Sequence, residues 1–322
     1  MSIEVVQPGI QTTVQDWPGR IGMLSWGYFP AGPMDDFAFR LGNVAVGNSP
    51  DAAGLEITLG KAKFRFQAPA TVAVTGAAGE VTVDGAAVPR WTPVEVPAGA
   101  ELKIGLAESG FRFYLAVRGG IDVPLVLGSR ATYTMGSLGG VDGRALVKGD
   151  LLAIGSSGVS AAAELPAEQI PEYRHDWVVE VVPGPFATPE FVTEADVGNF
   201  FSRVWSVDQN SNRTGIRLDP VRLQWSRADG GIAGGHPSNI LDTGYPLGGI
   251  NLNGDTPVIL GPDGPTSGGF VVFGVVPKAS LWKIGQMRPG RDTIRFQPIS
   301  LDEAYALEEE RSLIMAGAGA RE

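Results

Sequence analysis

Short apolar-polar alternations bounded by turn residues fill the first half of the chain. They predict strands at 4–6, 12–15, 62–66, 71–75, 81–83, 101–106 and 111–117. Strands of this length and spacing suit an antiparallel barrel or sandwich. The stretch DDFAFRLGNVAV breaks the pattern: Phe37, Leu41 and Val44 recur at helical spacing behind two acids, so a helix is expected over 35–46. Residues 155–171, GSSGVSAAAELPAEQIP, are small, polar and punctuated by proline, which reads as a linker containing a domain boundary. Beyond it the strand pattern resumes at 177–183, 257–260, 270–276 and 293–298, with helical turns over 189–201. A final helix starts at the Ser300 cap and frays after Ala316. The fold class expected is mainly β: two β-barrel-like domains with few short helices, over 1–160 and 172–316.

Composition sharpens this. Forty-five glycines and 24 prolines argue against a helical protein, because both residues are costly inside helices and useful in turns. With 25 basic against 35 acidic residues the net charge is −10, so phosphate backbones and anionic lipid are repelled and no nucleic-acid or membrane partner is expected. The absence of cysteine removes disulfides, thiolate nucleophiles and Cys-based zinc sites, and with an opening MSIEVVQPGI that lacks a signal pattern it points to the cytoplasm. Only two histidines, His175 and His236, are available, which removes His-pair metal sites; no metal is expected in this chain. There is no G-x-S-x-G elbow, phosphate-binding loop or dinucleotide fingerprint.

Candidate chemistry concentrates between 210 and 270, where NSNRTG, GGHPSN, NLNGDTPVIL and GPDGPTSGGF follow one another. Gly, Pro, Asn and Asp let a backbone approach a small ligand, and neutral amides stabilise developing charge without titrating. Asn239 beside Asp263 would read both donors and acceptors of a urea-type amide, with His236 as proton relay. Each group also has a plain structural role open to it. His236 suits a loop histidine bonded to backbone, Asp263 a turn former, and Arg213 a partner for a structural acid such as Asp219. Arg118 and Arg130 suit carbonyl ties, Asp16 and Arg20 a self-satisfied turn, and the tryptophans core or interface anchors.

The order NSNRTG, HPSN, GDTPVILGPDG and GGF, with TTVQDWPGR, GPMDD, RLGNVAVGN, LEITLG, LAVRGG and LGSRATYT before it, resembles the KipA-like family. That family is also known as allophanate hydrolase subunit 2 or as the C subunit of 5-oxoprolinase, and the likeness is strongest to the KipA-like half of the carboxyltransferase region of urea carboxylase and urea amidolyase. The resemblance implies a cyclophilin-like second domain and one subunit of a hetero-complex, inactive alone. In that complex carboxyl passes from carboxybiotin to a nitrogen of a small urea-like amide. Biotin would arrive on a partner protein and ATP would be used by partner subunits. The partners implied are a KipI-like (allophanate hydrolase subunit 1) chain, with a biotin carboxylase and a biotin carrier protein. Matching motifs place catalytic roles on His236, Asn239 and Asp263, and substrate binding on Asn210, Asn212, Arg213 and Gly264. Two alternatives stay open: ATP-dependent lactam hydrolysis as the C subunit of 5-oxoprolinase, and a KipA-like regulator bound to a sensor kinase partner. LDTGYPLGGINLNGDTPVIL and PDGPTSGGF depart from the generic KipA-like pattern and favour a urea-type substrate.

Overall fold

The computed structural model describes residues 1–156 and 160–319. The chain divides into two compact units, one comprising Met1–Arg174 with the end of the terminal helix from Leu313, the other His175–Ser312. Both are mainly β.

In the first unit a seven-stranded sheet runs in the order Ile121–Asp122, Leu151–Ile154, Ser2–Pro8, Gly60–Phe66, Glu101–Leu106, Val81–Val83, Ala86–Ala87. A five-stranded sheet runs Gln11–Gln15, Gly54–Thr58, Ser109–Val117, Ala70–Ala78, Val94–Val96. Every pairing is antiparallel, and the inward faces supply one core that includes Ile3, Val5, Leu55, Ile57, Phe64, Phe66, Leu102, Ile104, Phe113 and Leu115. Helix α1, Asp36–Ala45, starts where Asp35 Oδ1 accepts from Ala38 N at 2.9 Å. It packs on the second sheet through Thr75, whose hydroxyl donates to Ala38 O at 2.7 Å.

Of residues 155–171, expected to be linker, the part from Ser160 onward is fastened within this unit. Ser160 N and Ala163 N donate to Gly47 O and Ala45 O, Arg118 donates to Ser160 O, and Leu165 packs against Ala45, Val46, Ala73 and Ala116. Residues 157–159 lie outside the described residues. Low apolar content did not prevent docking, because the groups that hold the segment are backbone N–H and C=O. Asp16 and Arg20 do not satisfy one another as expected. Asp16 accepts from Ser129 Oγ, Arg130 N and Ala131 N, and Arg20 donates to Val126 O and Ala131 O, so both grip the same distant loop.

In the second unit the sheet order is Trp205–Ser206, Thr293–Pro298, Asp176–Pro183, Val272–Val275, Gly249–Asn253, Thr256–Leu260, Gly215–Arg217. Asp176–Pro183 and Thr293–Pro298, the first and last strands, pair in parallel, with Asp176 opposite Thr293 and Val181 opposite Pro298. A separate hairpin joins Asn239–Gly244 to Ser267–Phe270. Helix α2, Glu194–Ser202, is capped by Thr193, and its Phe200 lies 4.1 Å from the Phe273 ring, 4.9 Å from Trp205 and 5.2 Å from Phe296. This aromatic stack centres the core. Helices α3, Leu281–Gln286, and α4, Leu301–Gly319, follow; α4 continues past the expected end at Ala316. Among the described residues no helix is long and apolar enough to cross a membrane.

Candidate functional site

The structure gathers the sequence-derived residues of the second unit into two groups. The first is built on the turn before Gly215–Arg217. Asp208 Oδ1 accepts from both the backbone N and the Nδ2 of Asn210 at 2.8 Å, and Asn212 Oδ1 accepts from Thr214 N at 2.8 Å. Both asparagines are exposed, and these bonds commit the Nδ2 of Asn210 and the Oδ1 of Asn212 to the turn itself. Behind them Arg213 and Asp263, 6% and 4% exposed, form a forked pair: Nε to Oδ2 at 2.8 Å and Nη2 to Oδ1 at 2.9 Å. Asp263 N also donates to Arg213 O. A Cβ on Gly264 would meet Thr214 O at 2.5 Å, so only glycine lets the two turns lie this close. With both carboxylate oxygens held by one guanidinium, Asp263 acts here as a buried structural anion. Asp219 pairs instead with Arg203.

The second group lies on the loop leading into the hairpin. His236 is exposed; its Nδ1 accepts from Ser238 N at 3.1 Å and lies 2.9 Å from Ser238 Oγ. A backbone N–H can only donate to an unprotonated nitrogen, so the neutral ring carries its hydrogen on Nε2 and offers it outward as a donor. Ser238 is fully buried: its Oγ accepts from Gly254 N at 3.1 Å and its carbonyl from Val271 N at 2.9 Å. Asn239 is half-buried. Its backbone N donates to His236 O and its Nδ2 to Gly234 O at 3.0 Å, closing the loop on itself. Arg227, stacked 4.6 Å over the Phe191 ring, donates to the carbonyls of Pro237 and Asn239. The Trp225 ring meets His236 edge-on at 5.6 Å, and its buried Nε1 finds no hydrogen-bond partner. The result is a rigidly framed loop with one outward imidazole donor.

Ser238 and Arg227 were not singled out from the sequence, and Trp225 was expected only as a core or interface anchor. For Ser238 a signal existed, its place between His236 and Asn239 in HPSN; for Arg227 there was none, because it works through carbonyls alone. The other histidine belongs elsewhere: His175 Nδ1 lies 2.8 Å from Asp292 Oδ1, and Asp292 also accepts from Trp177 Nε1 and Arg288 N. That cluster fastens the start of the first strand to the start of the last.

The first unit carries a buried polar network around GPMDD. Glu56 accepts from Met34 N and the Tyr114 hydroxyl, which in turn accepts from Asp35 N at 2.8 Å; Tyr173 donates to Asp35. Burial, reinforced by the charges of Glu56 and Asp35, holds the Tyr114 hydroxyl well above the ordinary tyrosine range. Arg118 and Arg130 tie down carbonyls, Arg118 those of Val46 and Ser160 and Arg130 that of Val123. Among the described residues no group of three or more His, Asp or Glu is placed to hold a metal ion.

A mainly β protein of two units, with amide-rich loops framing a small polar site, is the class these observations define. Comparison with known proteins narrows it. Residues 26–298 match the family described as carboxyltransferase domain, subdomain A and B, and the chain belongs to that family. It is 43% identical over 319 residues to the urea amidolyase of Saccharomyces cerevisiae, covering 97% of this chain but only 17% of that protein. It is 32% identical over 311 residues to the C subunit of the Escherichia coli 5-oxoprolinase, covering 96% of this chain and 95% of that one. The crystal structure of the K. lactis urea amidolyase superposes with a TM-score of 0.96 at 41% identity, over 98% of this chain and 20% of the other. The chain therefore spans about a fifth or less of the urea amidolyases it resembles and nearly all of the 5-oxoprolinase component.

Proposed function

We propose that the chain is one component of a biotin-dependent carboxyltransferase that carries a carboxyl group to a nitrogen of a small urea-like amide. The observation that carries this reading is the match to the carboxyltransferase family over residues 26–298, joined to 43% identity with a urea amidolyase. Biotin, borne by a carrier protein, supplies the carboxyl group. The residues of this chain fit a ureido or amide group in one definite respect: the outward Nε2–H of His236 is a donor to a carbonyl oxygen, held by Ser238 and framed by Asn239 and Arg227. A donor of this kind stabilises negative charge gathering on a carbonyl oxygen. On this reading His236 and Asn239 serve the reaction directly. Asn210, Asn212, Arg213, Asp263 and Gly264 shape the backbone of their own pair of turns.

The remaining machinery lies on partners: a KipI-like chain completing the site, a biotin carboxylase using ATP, and the biotin carrier, all in the cytoplasm. The second unit is the cyclophilin-like barrel of the pair. A second reading has its own support, since the chain matches the C subunit of a 5-oxoprolinase over 95% of that protein's length: a component of an ATP-dependent lactamase. One experiment separates them. The chain is co-purified with a KipI-like partner, biotin carboxylase and carrier, and assayed with urea, guanidine and 5-oxoproline. Urea- or guanidine-dependent fixation of labelled bicarbonate, blocked by avidin, is expected. ATP hydrolysis driven by 5-oxoproline and insensitive to avidin would move the assignment to the second reading, and turnover of none of the three would overturn both.

A further inference from the structure

A cavity of about 270 Å³, open to solvent, lies at the end of helix α2 and is lined by Asp196, Arg203 and Arg222 over Phe200, Trp205 and Leu223. It uses none of the side chains of the two loop groups described above. Its frame is fixed. Arg203 N donates to Asn199 O at 3.1 Å, closing the helix. The segment carrying Arg222 and Leu223 is pinned at Val221, whose N donates to Asp255 O at 2.8 Å, and at Ser226, whose N donates to Phe191 O at 3.0 Å.

The two arginines differ in what holds them. Arg203 Nη2 donates to Asp219 Oδ2 at 2.8 Å, and its guanidinium lies 5.0 Å from the centre of the Trp205 ring. These contacts orient the guanidinium while using one of its nitrogens; among the described residues the other two bond to nothing. Arg222 is exposed and forms no ion pair or side-chain hydrogen bond among the described residues. Asp196, 4% exposed, is committed to the start of the helix: it accepts from Thr193 Oγ1 at 2.8 Å, and its own N donates back to that oxygen at 3.1 Å. The lining thus carries two positive charges against one negative, in a chain whose net charge is −10.

We propose that this cavity binds a small organic acid, its single carboxylate held by Arg222 and Arg203 and its apolar body against Trp205 and Leu223. Forked guanidinium donors match a carboxylate, and a partly apolar wall repays a ligand that brings carbon as well as charge. Inorganic phosphate would suit the arginines too, but it offers nothing to the ring and the leucine, and its further charge would meet Asp196. This is a second ligand site, beyond the function proposed above.

The test uses the full chain at one fixed ionic strength, with propionate as probe, methyl propionate as its uncharged counterpart and inorganic phosphate as competitor. Binding is followed by saturation-transfer NMR beside thermal unfolding. Wild type is expected to bind propionate, to ignore methyl propionate, and to yield propionate to phosphate only at tenfold or greater excess. Arg222→Gln is expected to weaken propionate binding tenfold or more and to melt with wild type, because the arginine holds nothing else in place. Displacement of propionate by equimolar phosphate would overturn the assignment to carboxylates. Wild type failing to bind propionate, or R222Q binding it as wild type does, would overturn the site itself. R222Q melting well below wild type would also overturn it, by giving the arginine a structural role. The amide-directed function stands under every one of these outcomes.

Discussion

The Arg213–Asp263 pair gives the sharpest quantitative prediction. Replacing Asp263 by Asn keeps the shape and removes the negative charge that the Arg213 guanidinium, itself 6% exposed, grips through two nitrogens. Breaking a buried pair by neutralising one partner costs about 3–5 kcal/mol, because the remaining charge stays desolvated. The unit that contains it, His175–Ser312, is a modest-sized domain. At roughly 3–4 °C per kcal/mol for that size, the melting temperature should fall by about 10–20 °C. The assay is thermal unfolding followed by near-ultraviolet circular dichroism, in which Trp205 and Trp225 of this unit report. A control tests the cause: Asp263→Leu combined with Arg213→Met should recover part of the loss, since two apolar residues leave no orphaned charge. If D263N melts within about 2 °C of wild type while substrate turnover falls by roughly 10² or more, the carboxylate reads substrate and the structural assignment is wrong.

Asn239→Ala removes the Nδ2 bond to Gly234 O that closes the His236 loop; steady-state kinetics of the assembled enzyme should lose roughly 10² in kcat/KM with the fold intact. Tyr114→Phe removes the hydroxyl that donates to Glu56 and accepts from Asp35 N in the first unit, and should cost about 1–3 kcal/mol by denaturant titration. Burial alone would raise the Glu180 carboxyl, but the Lys283 and Ser280 bonds outweigh it and hold it below its ordinary value of 4.5. A depressed folded value means the stabilisation is present above the unfolded value and lost as pH falls through the folded one. The melting advantage of wild type over Glu180→Gln should therefore be constant near neutrality and vanish in acid below that range. An advantage that grows on acidification would contradict the sign.

The architecture was legible in strands such as Glu101–Leu106 and Thr293–Pro298, which keep one face wet and fall where alternation put them. Gly54–Thr58 escaped because all five of its residues are buried, Glu56 included, so no polar-apolar rhythm survives to be read. Within the site, His236 and Asn239 were legible as one loop because they are three residues apart and bond locally. The partner of Arg213 was not: Asp263 lies fifty positions away, and the nearer Asp219 belongs to Arg203.

Each unit is closed by its own ends. Ser2–Pro8 lies between Gly60–Phe66 and the late strand Leu151–Ile154, and in the other unit the first strand pairs with the last in parallel. In a sheet stitched this way the earliest strand keeps one edge unpaired until the latest strand has been made. Synthesis from the amino end must therefore finish a unit before that unit can lock, and each should then lock in a single step. A chain cut inside either unit should yield fragments that stay unfolded apart and recover structure when mixed, whereas joining the two ends of a unit and opening it at a surface turn should preserve every pairing.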